Sequence, residues 1–136
     1  MKNLVDLVAE LSSLLAEMEE SAGRELDRTG LTLTQMHYLE MISLLGNPNL
    51  TELAAKVKHA KPTVKVAVDR LVEKGFVFKV RSDADRRSSH FHLTEKGMLV
   101  NRIHDQAHRN IARLFKSRLE PEELEQLSSL LNKITQ

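Results

Sequence analysis

The sequence predicts a mainly helical, single-domain protein whose helices are interrupted by one small β-hairpin. Three observations predict it. Apolar residues recur at three- and four-residue spacing through most of the 136 residues, the period of helices with one buried face. Between residues 76 and 93 the pattern switches to alternation, the period of strands. Gly30, Gly46 and Gly75, with Pro48, Pro62 and Pro121, fall between these segments or at their starts, where chain-breaking residues belong.

Residues 3–28 carry Leu4, Leu7, Val8, Leu11, Leu14, Leu15 and Met18 as one stripe, predicting a long first helix that Gly30 closes as a left-handed cap. Thr32 with Gln35 three residues on fits a capping box. The second helix then runs through Met36, Leu39, Ile42 and Leu45 to the turn Gly46-Asn47-Pro48-Asn49. Thr51 is expected to cap a short third helix holding Leu53, Ala54 and Val57. Pro62 suits the first turn of a fourth, over 61–74, with Val64, Ala67, Val68 and Leu71 as its apolar face. In the hairpin, Phe76, Phe78 and Val80 point one way and Val77, Lys79 and Arg81 the other. Beyond the Ser82–Arg87 turn, Ser89, Phe91 and Leu93 alternate with Ser88, His90 and His92. Thr94 caps a fifth helix with Leu99, Ile103, Ala107, Ile111, Leu114 and Phe115 inward. Pro121 opens a sixth with Leu124, Leu127, Leu131 and Ile134. The predicted order is α-α-α-α-β-β-α-α.

Composition narrows the function. No apolar run approaches the ~20 residues that cross a membrane, and the N-terminus lacks the layout of a signal peptide, so the expected location is the cytoplasm. With no cysteine, disulfides, thiolate ligation and thiol redox sensing are excluded. No Gly-rich phosphate loop, His-Glu-x-x-His or serine-nucleophile motif occurs, so no enzymatic activity and no cofactor are expected. The net charge of +1 conceals a division. Residues 1–55 hold three basic against nine acidic groups, and residues 56–96 hold eleven basic against five acidic. A basic region of that kind attracts a polyanion.

Two short helices joined by a tight turn and followed by a hairpin describe a winged helix-turn-helix. The helix over 61–74 presents Lys61, Thr63, Lys65, Val66 and Arg70 opposite its apolar face. A helix fits the DNA major groove, where lysine and arginine bond guanine or phosphate and valine suits a thymine methyl. Lys61, Thr63, Lys65 and Val66 are therefore read as base-edge contacts, and Arg70 and Thr51 as backbone contacts. The hairpin carries Arg86 and Arg87 at its tip, where arginine favours a narrow minor groove.

LTELAAKVKHAKPTVKVAVDRLVEKGFV followed by RSDADRRSSHFHLTEKG closely resembles the MarR family of transcription regulators. Matching parts are Val-Asp-Arg-Leu-x-x-x-Gly, the Asp-Arg-Arg of the wing and the Leu-Thr-x-x-Gly after it. The resemblance spans essentially the whole chain. It implies a homodimer interlocked through the first, fifth and sixth helices, a pseudo-palindromic operator, and release by a small ligand. It makes Arg87 the wing-tip arginine and Asp85 the acid that positions it. Residues 1–136 are then one domain, with 32–96 as the DNA-binding part and 1–30 and 97–136 as dimerisation helices. Ala60 stands where many members have a capping serine, and Val66 where arginine is frequent. The operator is accordingly not to be borrowed from relatives.

Other readings compete. An Asp-Arg-Arg turn by itself is a solvated loop, and a winged helix can instead bind an acidic protein partner without DNA. Met36, His37 and Met41 are candidates for an effector cavity, although helical spacing favours a place in the core. His104 and His108 have the four-residue spacing of metal ligands on one helix face, but no local carboxylate pattern accompanies them, and no metal site is assigned. The preferred reading is a homodimeric winged-helix transcription regulator, a repressor that leaves its DNA operator when a ligand reshapes the dimer. On that reading Arg87→Ala weakens operator binding by roughly 1–3 kcal/mol with thermal unfolding unchanged. An anisotropy titration giving wild-type affinity would remove the wing from the mechanism.

Overall fold

The computed structural model describes residues 1–82 and 88–136, the side chains of Ser21, Ala22 and Glu25 excepted. Asp85, Arg86 and Arg87 lie outside the described residues. The elements are α1 (Leu4–Asp27), α2 (Leu33–Leu45), α3 (Leu50–Val57), α4 (Lys61–Glu73), β1 (Val77–Arg81), β2 (Ser89–Leu93), α5 (Glu95–Arg118) and α6 (Pro121–Thr135). This is the expected order. The chain divides into two compact units, one of residues 24–104 and one of residues 1–23 with 105–136.

The 24–104 unit holds the core. Leu39, Ile42, Leu53, Val64, Val68, Leu71 and Phe76 have no exposed surface there, with Tyr38 and Val77 nearly so. The predicted capping box starts α2: Thr32 Oγ1 accepts from the Gln35 amide at 3.1 Å, and Gln35 Oε1 accepts from the Thr32 amide at 3.0 Å. Gly46, at φ 67°, closes that helix. At α3 the expectation is corrected. Asn49, not Thr51, is the cap, in a reciprocal box with Glu52, and Thr51 sits inside the first turn. Asparagine is as good a capping acceptor as threonine, so the turn cluster concealed the helix start. Gly30 does adopt φ 71°, three residues beyond the end of α1. Pro62 lies in the first turn of α4, as expected, and Ala60 supplies no side-chain cap.

The two strands pair antiparallel, Val77 opposite Leu93 and Arg81 opposite Ser89. Alternation is as predicted within the strands. Val77 and Phe91 face the core, whereas Phe78 and Val80 are exposed and the Phe78 ring stacks on His92. Phe76 precedes β1 and is buried, so it does not share the side of Phe78. In α5, Val100 is buried and Leu99 is half exposed, one position away from expectation.

The 1–23 and 105–136 unit is different in kind. Among its described residues Ala107 alone is buried. Leu4, Val5, Leu7, Val8 and Leu11 of α1 are exposed, as are Leu130, Leu131 and Ile134 of α6. Among the described residues no helix is long and apolar enough to cross a membrane.

The exit from the hairpin depends on one close approach. The Phe76 carbonyl accepts from the Thr94 amide at 3.1 Å. Thr94 Oγ1 donates to the Gly75 carbonyl at 2.6 Å and accepts from the Gly97 amide at 3.1 Å, capping α5. A Cβ at position 97 would fall on the Phe76 carbonyl oxygen, a backbone atom that cannot swing away. Gly97→Ala is therefore expected to destabilise the fold by about 1–3 kcal/mol or more, read as a lowered urea midpoint at unchanged slope.

Candidate nucleic-acid interface

Burial of Val64, Val68 and Leu71 fixes which side of α4 meets solvent. Lys61, Thr63, Lys65, Val66 and Arg70 are all exposed. Lys61 and Lys65, one turn apart, line a groove of about 330 Å³ with Asn49 and Thr51 of the α3 start, Lys79 of β1, and Ser88 and Ser89 at the head of β2. The structure thus brings together Thr51, Lys61 and Lys65. Thr63, Val66 and Arg70 are exposed on the same helix outside the groove lining. Lys79, Ser88 and Ser89 were not singled out from the sequence, although alternation had placed Lys79 and Arg81 on a common side.

One carboxylate joins helix and hairpin. Asp69 Oδ2 accepts from Lys65 Nζ at 2.8 Å and Oδ1 from Lys79 Nζ at 2.5 Å. Those hydrogen bonds, from Lys65 first and Lys79 second, hold the Asp69 carboxyl below its ordinary range. Lowering by a partner means that the pair's contribution is complete above the unfolded value and lost as pH falls through the folded one. Across neutral pH Asp69 is ionised, and both ammonium groups are held at the rim of the groove.

The backbone adds a second feature. Ala60 offers no acceptor to the first-turn amides of α4, and a helix start carries partial positive charge. The strand side is fixed by the Phe91 amide, which donates to the Pro48 carbonyl at 2.8 Å, and by a bridge between Asn49 and His90. These contacts hold β2 against the turn that leads into α3.

The candidates for an effector cavity are dispersed. Met36 and Met41 are core residues while His37 is exposed, so the three do not line one space. His104 Nε2 lies 3.3 Å from Glu40 Oε2, a carboxylate that α2 supplies and that no pattern local to α5 could reveal.

Comparisons with known proteins agree with this geometry. The profile of the MarR family matches residues 31–89. An uncharacterized HTH-type transcriptional regulator of Bacillus subtilis, YkoM, is 30% identical over 117 residues, covering 85% of this chain and 75% of its own length. FabT of Streptococcus pneumoniae, solved in complex with DNA, superposes with a TM-score of 0.77 at 22% identity, covering 98% of this chain and 95% of that one. A MarR protein from Peptoclostridium difficile gives a TM-score of 0.68 at 27% identity, with 98% and 86% covered. The matched profile, the aligned regulator and the shared fold place this chain in the MarR family of winged-helix transcription regulators.

Proposed function

We propose that this chain acts as a homodimeric repressor that binds a pseudo-palindromic DNA operator and is released by a small effector. The groove carries the reading: Lys79 and Thr51 stand with the starts of α3 and α4 beside Lys61 and Lys65, an arrangement that suits a phosphate oxygen on the Lys79 and Thr51 side. With that phosphate seated, α4 enters the major groove. Lys61, Thr63, Lys65 and Val66 then meet base edges, while Thr51 and Arg70 hold the backbone. Arg87, positioned by Asp85 and flanked by Arg86, reaches the adjoining minor groove. The DNA complex of FabT supports this assignment by likeness of fold.

The second copy follows from the uncovered helices. Exposed Leu4, Leu7, Val8 and Leu11, with Leu131 and Ile134, give the terminal segments apolar surface that a two-fold partner covers. The partner also sets two recognition helices about 34–36 Å apart, one turn of duplex. Residues 1–30 and 97–136 serve this association, and residues 32–96 serve DNA.

Titrating a duplex upstream of the protein's own gene at rising salt tests the proposal. With about eight phosphates neutralised per dimer, the log–log slope of affinity against salt is near −7. A flat response would leave the basic groove to an acidic protein partner. Asp69→Asn removes the carboxylate that engages Lys65 and Lys79, and is expected to tighten binding to random-sequence duplex by about threefold. Unchanged affinity would mean that neither lysine approaches the phosphates.

A further inference from the structure

The linker between α3 and α4 is three residues long, and its middle residue is tied to the core. Lys58 ends α3 at φ 59°, and Ala60 begins α4 without a side-chain cap. Between them, the exposed His59 places Nδ1 2.6 Å from the hydroxyl of Tyr38. Tyr38 is 1% exposed, and its ring meets the imidazole edge-on at a centroid separation of 5.9 Å. Among the described residues, His59 is the sole hydrogen-bond partner of this hydroxyl.

The chemistry favours one direction for this bond. Burial raises the Tyr38 phenol above its ordinary value, so its oxygen keeps its proton. A neutral imidazole has one acceptor nitrogen. With Nδ1 as that acceptor, the Tyr38 hydroxyl donates to it and the imidazole proton sits on Nε2, the arrangement that gives the buried hydroxyl hydrogen a partner.

We propose that the Tyr38–His59 hydrogen bond is a positioning device for sequence recognition, holding the linker so that the uncapped start of α4 enters DNA at a fixed angle. The inference rests on the DNA-binding reading and deepens it. Ala60 supplies no side-chain cap to α4, and the linker is anchored instead one residue back, through His59 to Tyr38 on α2. Tyr38 is flanked by Leu39 and lies four residues before Ile42, both without exposed surface, so the hydroxyl is carried by a helix packed into the core. His59 acts through Tyr38 rather than on DNA. Loss of the bond lets α4 tilt, which misplaces Lys61 and Thr63 against base edges but leaves the lysines free to meet phosphates.

The test compares affinities for two duplexes of equal length: one selected by the wild-type protein from a randomised pool, and one of random sequence. Tyr38→Phe deletes only the hydroxyl, and the ratio of selected to random affinity is expected to fall about tenfold, with random-duplex affinity changed less than about twofold. Two substitutions at the exposed His59 separate positioning from contact and serve even if Tyr38→Phe fails to fold. Asparagine sets an oxygen near the place of Nδ1, and glutamine sets one near the place of Nε2. His59→Asn is expected to keep the wild-type ratio and His59→Gln to lose it. The opposite order would show the imidazole touching DNA through Nε2 and overturn the proposal, as would a ratio unmoved by Tyr38→Phe and His59→Gln. A wild-type protein that selects no sequence, or binds no duplex, removes the DNA reading itself and this inference with it.

Discussion

Rotation of α4 about its own axis is the constraint from which the interface follows. Val64, Val68 and Leu71 recur at helical spacing and have no exposed surface, so they hold one face of the helix against α2 and α3. A helix turned by one residue would carry Lys65 with Asp69, or else Arg70, into an apolar core, at a desolvation cost of several kcal/mol. Apolar burial thus selects one orientation, and Lys61, Lys65, Val66 and Arg70 are exposed as its complement. The functional face is set by what lies behind it.

Orientation of one helix would not by itself make a groove. The hairpin must stand at a defined place, and two devices put it there. Gly97 lets the first turn of α5 press on the Phe76 carbonyl, locking the exit of the hairpin. Asp69 reaches across to Lys79, tying β1 to the exposed side of α4. The first is a steric device and indifferent to salt. The second is a half-exposed ion pair, worth little to stability, and its consequence is electrostatic: it holds lysines together that would otherwise repel.

Legibility of this protein in its sequence followed the range of the interaction. The Thr32–Gln35 box, Pro62 in α4, the alternation from Val77 onward and the apolar face of α4 are local patterns, and each stood as read, while Phe76, just ahead of the strand, turned into the core. Position 99 was read as inward where Val100 is buried, because α5 is apolar at both positions and only packing decides between them. Asn49 was hidden by its place in a turn cluster with the same composition as a cap. The Leu-Thr-x-x-Gly pattern was recognisable, but the reason for its glycine lies 21 residues earlier, at the Phe76 carbonyl. Lys79 beside Asp69, Glu40 beside His104 and Tyr38 beside His59 all join separate elements. No periodicity encodes such pairs. The groove was therefore half visible: its helix could be read and its strand side could not.

Charge and apolarity are distributed along the chain to different ends. Residues 56–96 carry eleven basic against five acidic groups and supply the lysines of the groove, while residues 1–55 carry the balancing excess of acid. A uniformly basic protein would be drawn to any polyanion in any orientation. Confining the positive field to one segment makes attraction depend on which face is presented. The unit of residues 1–23 and 105–136 follows the opposite rule, with exposed leucines and a single buried alanine among its described residues. Each leucine contributes about 1.5–3 kcal/mol when covered, and little while it faces water. The proposed second copy turns that surface into the association energy that places two basic faces on one duplex. A single face would meet DNA with the same groove, but it would lack the spacing by which a two-fold site is told from any other stretch of phosphate.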